Sequence, residues 1–182
     1  GLVWNFTQGY NLGLSYTRSQ RAPSASELFS FGPHIGTSTF EVGALFDLHQ
    51  EADENHFELG QQDLELETAN NLELSLRKFE GDFGFIFNTF FNQVDNYYFQ
   101  ANTGLFAGSG HDHEQELEQD GELPVYIYQA QDAEFYGFEG QFIWRASEDL
   151  KVKLQGDNIR GKLTNGDNLP RIPPSRLGLI FN

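Results

Sequence analysis

Long runs of alternating apolar and polar residues constrain the fold of this chain more than any other feature of its sequence. Leu72, Leu74 and Leu76 alternate with polar residues, and the same period of two recurs near 10–16 and 150–154. This period places successive side chains on opposite faces of a strand, whereas a helix needs a period near 3.6. We therefore predict an all-β chain with half-buried antiparallel strands. The predicted strands lie near 10–20, 67–79, 83–99, 131–145, 150–162 and 174–182.

The connections between these strands alternate between short and long. Residues 79–83 and 145–150 read as tight polar turns, whereas about 21–66 and 100–130 read as long polar loops. Short turns at one end of the sheet, long loops at the other, and strands with one aromatic-rich face are typical of an outer-membrane β-barrel. A soluble β-sandwich alternates in the same way, but its strands usually have only five or six residues. We therefore favour the membrane barrel.

The negative charge of the chain is concentrated in two segments. The formal net charge is −16, and residues 47–67 and 111–122 carry eight and six acidic residues without any Lys or Arg. The rest of the chain is nearly neutral. Such segments repel nucleic acid and attract cations, so we expect a metal-ion partner and no nucleic-acid partner.

Four of the five histidines also lie in these two acidic segments. The chain has no cysteine, so a zinc site would have to use imidazole nitrogen and carboxylate oxygen. Calcium gives no reason for histidine, whereas copper and nickel remain open. The candidate metal ligands are His49, Glu51, Asp53, His56, His111, Asp112, His113 and Glu114.

The local geometry of these ligands depends on the conformation of each segment. In an extended segment, His111 and His113 would share one face. In a helix, His49 and His56 would share one face, and Asp53 would stack on His49 at the i+4 position. The competing interpretation is a solvated acidic loop with incidental histidines, and the concentration of histidine in the two segments favours metal binding.

Several motifs in order along the chain resemble TonB-dependent outer-membrane receptors. The stretch "RAPSASELFSFGPH" (21–34) resembles a strand that leads into a long extracellular loop in that family. The stretch "FELGQQDLELETANNLELSL" (57–76) resembles the return strand, and "AEFYGFEGQF" (133–142) and "LPRIPPSRLGL" (169–179) resemble later strands. The residues that match are Arg21, Pro23, Glu27, Leu28, Gly32, His34, Glu67, Asn71, Glu73 and Leu74. Within the family, the acidic, His-rich loops resemble the zinc receptor branch (ZnuD-like).

The resemblance implies an antiparallel transmembrane β-barrel segment, with about six strands of a 22-stranded receptor barrel and long acidic extracellular loops. We expect residues 1–182 to be a C-terminal-half segment without the plug domain or the TonB box. The implied function is zinc capture at the outer loops for TonB-dependent uptake. The implied location is the bacterial outer membrane, and the implied partners are membrane lipid and the TonB system, reached through the plug.

Two alternatives remain open at this level. A receptor for haem or another metal chelate would need an axial ligand for haem, and His34, His49, Tyr97 and Tyr98 are available. For His34, which belongs to the general receptor motif, we expect a structural role in the loop. A receptor fragment that displays its loops as an antigen is the second alternative. An enzyme is disfavoured, since the sequence pairs no nucleophile with an ordered base.

Overall fold

The protein is almost entirely β-structure, which confirms the predicted class. The computed structural model describes residues 1–50, 55–60, 64–107, 117–118 and 123–182. No helix in these ranges is long and apolar enough to cross a bilayer. The elements are β1 (Leu2–Thr7), β2 (Tyr10–Arg21), α1 (Ala25–Phe29), β3 (Phe31–His34), β4 (Thr39–Val42), β5 (Phe46–Gln50), β6 (Asn55–Leu59), β7 (Glu67–Lys78), β8 (Phe83–Ala107), β9 (Leu117–Glu118), β10 (Leu123–Arg145), β11 (Lys151–Leu163) and β12 (Arg176–Phe181).

The chain divides into two compact units. The wall unit consists of Gly1–Gln20, Thr68–Asp95 and Asp132–Asn182, and the loop unit consists of Arg21–Glu67 and Asn96–Gln131. The main sheet has the strand order β1-β2-β7-β8-β10-β11-β12. The described strands β1 and β12 do not pair with each other, so the sheet is not closed into a barrel.

Antiparallel pairing in the wall unit sorts side chains onto an apolar face and a polar face. Phe142 lies opposite Leu154, which lies opposite Leu179 on the next strand. The Phe87 and Phe138 rings stack 6.0 Å apart on this apolar face. Its exposed members include Leu2, Trp4, Leu14, Tyr16, Leu72, Leu74, Phe87, Phe91, Tyr136, Phe138, Phe142, Trp144, Leu154, Leu177, Leu179 and Phe181. So much exposed apolar surface indicates a sheet that faces lipid.

The opposite face of the wall unit is polar and internally hydrogen-bonded. Asn88 on β8 donates to the Glu139 carboxylate on β10 at 2.8 Å. Arg176 on β12 donates to the Asp157 carboxylate on β11 at 3.0 Å. A polar face opposite a lipid-facing apolar face is the arrangement of a transmembrane barrel wall.

The strand positions differ from the sequence prediction in three places. Strand β1 was not predicted. Strands β8 and β10 have 25 and 23 residues, and they continue into 100–130, which we expected to be loop. In its described part, the segment 21–66 contains α1 and four strands rather than a long polar loop. Those four strands have only four or five residues each, too few for a period of two to be recognised in the sequence.

The loop unit has its own hydrophobic core. Phe40, Val42, Leu105, Ala107 and Val125 are buried together. Strand β4 pairs in parallel with the first part of β10, with Phe40 opposite Val125. The two long segments therefore form one packed body around a shared apolar centre.

The two ends of the segment 21–67 are joined by an ionic clasp. The Arg21 guanidinium donates to Glu67 at 2.6 and 2.8 Å and to Glu27 at 2.8 and 3.0 Å. Glu27 also accepts from the Ser24 backbone NH at 2.7 Å, as part of the capping box that begins α1. Burial of Glu27 opposes its ionisation, but the hydrogen bonds from Arg21 and Ser24 outweigh burial and lower the pKa of the Glu27 carboxyl. The family motif residues Arg21, Glu27 and Glu67 thus have a common structural role.

Replacing Arg21 by Gln should loosen the loop unit. We expect the free energy of local opening to fall by about 2 kcal/mol, since Arg21 forms hydrogen bonds to two carboxylates. A larger loss is not expected, because the Arg21 side chain is partly solvated. Hydrogen exchange of the Glu27 and Tyr98 amides measures this loss. Arg176→Gln is the matched control: its side chain is 74% exposed against 42% for Arg21, so its effect should be smaller.

The stabilisation by the Arg21–Glu27–Glu67 clasp should depend on pH. Because the folded pKa of Glu27 lies below its ordinary value of 4.5, the stabilisation is present at neutral pH and is lost as the pH falls through the lowered pKa. Amide protection in the wild-type loop unit should therefore decrease in that acidic range, and the decrease should be smaller in Arg21→Gln. Equal pH profiles of the two proteins would contradict a role for this clasp.

Candidate metal centre

Strands β5 and β6 form a two-stranded antiparallel hairpin inside the loop unit. The Cα partners are Phe46 with Leu59, Asp47 with Glu58, Leu48 with Phe57, and His49 with His56. Alternation places Phe46, Leu48 and Phe57 on one face, where they pack against the loop-unit core. The other face, named here the ligand face, carries Asp47, His49, His56 and Glu58.

The two histidines of the ligand face form a cross-strand pair. Their ring centroids lie 5.5 Å apart, and the ring planes make an angle of 19°. The Glu58 carboxylate lies 3.5 Å from Nε2 of His56 and 3.9 Å from Nε2 of His49. The side chains of His49, His56 and Glu58 are 50%, 36% and 65% exposed. Two imidazoles and one carboxylate are thus accessible to an ion from solvent.

One nitrogen of this pair has an unused hydrogen-bonding capacity. Nδ1 of His56 is buried and has no hydrogen-bond partner in the described part of the chain. Buried polar atoms are normally paired, so this nitrogen is available to a hydrogen-bond partner that the described residues do not supply.

The described ligands do not make a complete metal site. Within the described ranges, no three His or acidic side chains are arranged so that they could hold an ion. The predicted ligands Glu51 and Asp53 belong to the connection between β5 and β6, outside the described residues. His111, Asp112, His113 and Glu114 also lie outside the described residues, so their predicted roles stay predictions.

The structure does bring a part of the second acidic segment to the hairpin. Strand β9, which follows His111–Glu114 closely in the chain, pairs with the end of β8 through Phe106 and Ala107. Cα atoms of β9 and β6 approach within 8 Å. Strand β6 belongs to the hairpin that carries His49 and His56, so the two acidic segments approach each other at this hairpin.

The helical arrangement considered for His49 and His56 does not occur. Both residues lie in strands, and they meet because they are cross-strand partners rather than because they are seven residues apart. The expected i+4 stacking of Asp53 on His49 concerns a residue outside the described ranges. His49 and His56 still lie side by side, but as partners on two strands.

Sequence reasoning missed Glu58 as a candidate ligand. The signal was present: Glu58 follows His56 by two residues, and Asp47 precedes His49 by two residues. In strands, this spacing puts each acid on the same face as its histidine. The spacing is informative only for strands, whereas the sequence predicts a long loop, with a helix as one possible conformation, for this segment.

The other candidate axial ligands for haem make local contacts within the loop unit. Nδ1 of His34 lies 2.9 Å from Oγ1 of Thr37, and its ring helps to close the turn between β3 and β4. The Tyr98 hydroxyl donates to the Glu65 carbonyl at 3.2 Å, and the Tyr97 ring stacks on Phe99 with centroids 6.4 Å apart. These contacts agree with the structural role expected for His34.

The two-faced antiparallel sheet and its short turns define a transmembrane β-barrel wall with a folded loop unit. A family model described as "TonB dependent receptor-like, beta-barrel" matches residues 1–182. The chain therefore belongs to this family, whose members lie in the outer membrane of Gram-negative bacteria.

Two solved structures share this fold. The structure titled "Copper transporter OprC" is 15% identical and has a TM-score of 0.64, covering 97% of this chain and 22% of its own. The siderophore receptor PirA from Acinetobacter baumannii is 15% identical and has a TM-score of 0.60, covering 98% of this chain and 25% of its own. The chain spans about a quarter of the length of these proteins. At this identity the likeness establishes the fold.

Proposed function

We propose that this chain is part of an outer-membrane receptor for TonB-dependent uptake, and that its loop unit captures zinc. His49 and His56 are the primary ligands, and carboxylates of the two acidic segments complete the site. The observation that carries the proposal is the stacked His49–His56 pair with Glu58 within 4 Å, on the face of a hairpin whose other face is anchored in a core.

The architecture around the pair supports ion capture rather than a purely structural role. The ligand face is accessible, and the loop unit carries most of the acidic excess of the chain. The approach of β9 to β6 would allow the segment with His111, Asp112, His113 and Glu114 to contribute ligands. A site completed by residues from two segments can bind and release an ion by moving one of them, as uptake requires.

Copper is the second candidate ion. Imidazole binds Cu²⁺ more tightly than Zn²⁺, and one solved structure with this fold is titled a copper transporter. Binding measurements with Zn²⁺, Cu²⁺ and Ni²⁺ on the same protein in detergent distinguish the ions. If zinc is the cargo, the protein should bind Zn²⁺ when free Cu²⁺ is negligible.

Zinc should leave the protein on mild acidification. Imidazole binds a metal ion only in its neutral form, and an unperturbed histidine titrates near pH 6.5. We therefore expect zinc affinity, measured by calorimetry on the protein in detergent, to fall steeply below about pH 6. Zinc retained at about pH 5 with unchanged affinity would show that carboxylates hold the ion and that the histidines do not.

A further inference from the structure

The connection between β11 and β12 is attached to β11 at two points. The Leu169 amide donates to the Gly161 carbonyl at 3.1 Å, and the Asn158 side chain donates to the Ser175 hydroxyl at 2.5 Å. Between these two attachments β11 advances three residues, whereas the connection uses six. The excess residues form a bulge, named here the strap (170–174). Bulges at the end of a strand can direct a side chain to a new position.

The strap places one apolar side chain, Ile172, on the polar face of the wall unit. Gly161 alternates with Asp157 along β11 and therefore lies on that face, opposite Phe135 on β10. A Cβ atom at Gly161 would lie 2.7 Å from Cδ1 of Ile172 and 3.0 Å from Cε1 of Phe135. The missing side chain of Gly161 thus leaves a notch, which Phe135 and Ile172 fill. Ile172 is half-buried at this contact.

The residue before Ile172 has a strained backbone. Arg171 has a φ of 61°, in the left-handed region that residues other than glycine rarely adopt. Such a conformation costs free energy and persists only where neighbouring contacts enforce it. The strap has the sequence Pro-Arg-Ile-Pro-Pro, so proline rings fix φ at three of its five positions. Ile172 is also restricted, because it precedes a proline. Arg171 is therefore the pivot of an otherwise stiff strap.

We propose that the strap has two states. In the latched state, which the structure shows, Ile172 fills the notch beside Gly161 and Arg171 is held in the left-handed region. In the released state, Ile172 leaves the notch and Arg171 relaxes to a negative φ. The packing of Ile172 favours the latched state and the strain at Arg171 favours the released state, so the two effects oppose each other.

The strap controls access to one end of the polar face. The short turn at 146–150 joins β10 to β11 at one end of the sheet, and the strap follows the other end of β11. The short turns of membrane barrels face the periplasm, and the polar face lines the barrel interior. The latched strap therefore covers the outer part of that face at Gly161 and Phe135, and its release exposes this part to solutes. The proposal is independent of zinc capture.

Methyl NMR of the protein in detergent, labelled at the isoleucine δ1 carbons, tests the two states. The Ile172 signal is assigned with Ile172→Val. In the wild type we expect contacts between the Ile172 δ1-methyl group and the Phe135 ring, and relaxation dispersion from exchange with a minor released state. Arg171→Gly removes the strain, because glycine adopts a positive φ without steric cost. This variant should lower the released population roughly fivefold.

Gly161→Ala changes the balance in the opposite direction. Its methyl group occupies the notch, so the released population should rise roughly tenfold. Gly140→Ala is the matched control, because a Cβ atom there would lie 3.4 Å from the nearest atom, a ring carbon of Phe87, and should leave the population unchanged.

Three results would overturn the proposal. The first is the absence of contacts between Ile172 and Phe135 in the wild type. The second is a released population in Arg171→Gly that equals or exceeds that of the wild type. The third is the absence of exchange in both the wild type and Gly161→Ala. Arg171 is exposed, so the second comparison does not depend on whether Gly161→Ala folds.

Discussion

Replacing both His49 and His56 by Ala should weaken zinc binding by about 100-fold or more, because even the loss of groups that only orient a ligand costs 10–100-fold. The two rings supply the imidazole nitrogens of the proposed site, and their Nε2 atoms lie within 4 Å of the same Glu58 carboxylate. Isothermal titration calorimetry of the protein in detergent measures this loss. Each single substitution should have an intermediate effect if the two imidazoles hold the same ion.

His34→Ala is the matched control for this experiment. His34 is also exposed and lies in the same loop unit, but its ring is engaged with Thr37 rather than with a second imidazole. Zinc affinity should be unchanged in this variant. If His34→Ala weakened zinc binding as much as the double substitution, a general loss of loop-unit structure rather than loss of ligands would be the cause.

Placing a charge on the apolar face should strongly destabilise the protein in a membrane. Phe142 lies on that face between Trp144 and Phe138, and its ring lies 5.9 Å from the Phe83 ring. An Arg on the lipid face costs about 2–4 kcal/mol near the bilayer midplane and less towards the interfaces. Phe142→Arg should therefore lower the unfolding free energy in lipid vesicles by about 2 kcal/mol or more.

Gln141→Arg is the matched control, because it lies at almost the same depth on the opposite, polar face. Its effect on the unfolding free energy should be less than about 1 kcal/mol, because a half-buried polar side chain is replaced on the face that does not meet lipid. Equal destabilisation by the two substitutions would mean that the two faces do not differ in their exposure to lipid.

The long strands could be predicted because each one repeats the alternation of apolar and polar residues along the chain. Strands β2, β7 and β11 have 12 or 13 residues, so the period of two is sampled many times within each. The loop unit could not be predicted in this way. Its strands β3 to β6 are short, and its core joins Phe40 to Leu105 and Val125, which are distant in sequence. Burial there depends on non-local contacts that no local pattern encodes.

For the candidate metal centre, the sequence identified the histidines but not their arrangement. Residue chemistry identified His49 and His56, because imidazoles in a segment whose charged residues are all acidic are the donor set that a transition-metal ion requires. Register brought them together, and register is set by the pairing of β5 with β6 rather than by spacing along the chain. The same pairing adds Glu58. Sequence reasoning missed this residue because each strand of the hairpin has only five residues, too few for the period of two to be recognised.

Anomalous scattering at the zinc edge, from crystals of the zinc-loaded protein, tests the central claim most directly. We predict a peak about 2.0–2.1 Å from an imidazole nitrogen of His49 and from one of His56, with carboxylate oxygens in the remaining positions. A fully occupied zinc ion held elsewhere in the protein, with the ligand face of the β5–β6 hairpin free of metal, would contradict zinc capture by this hairpin.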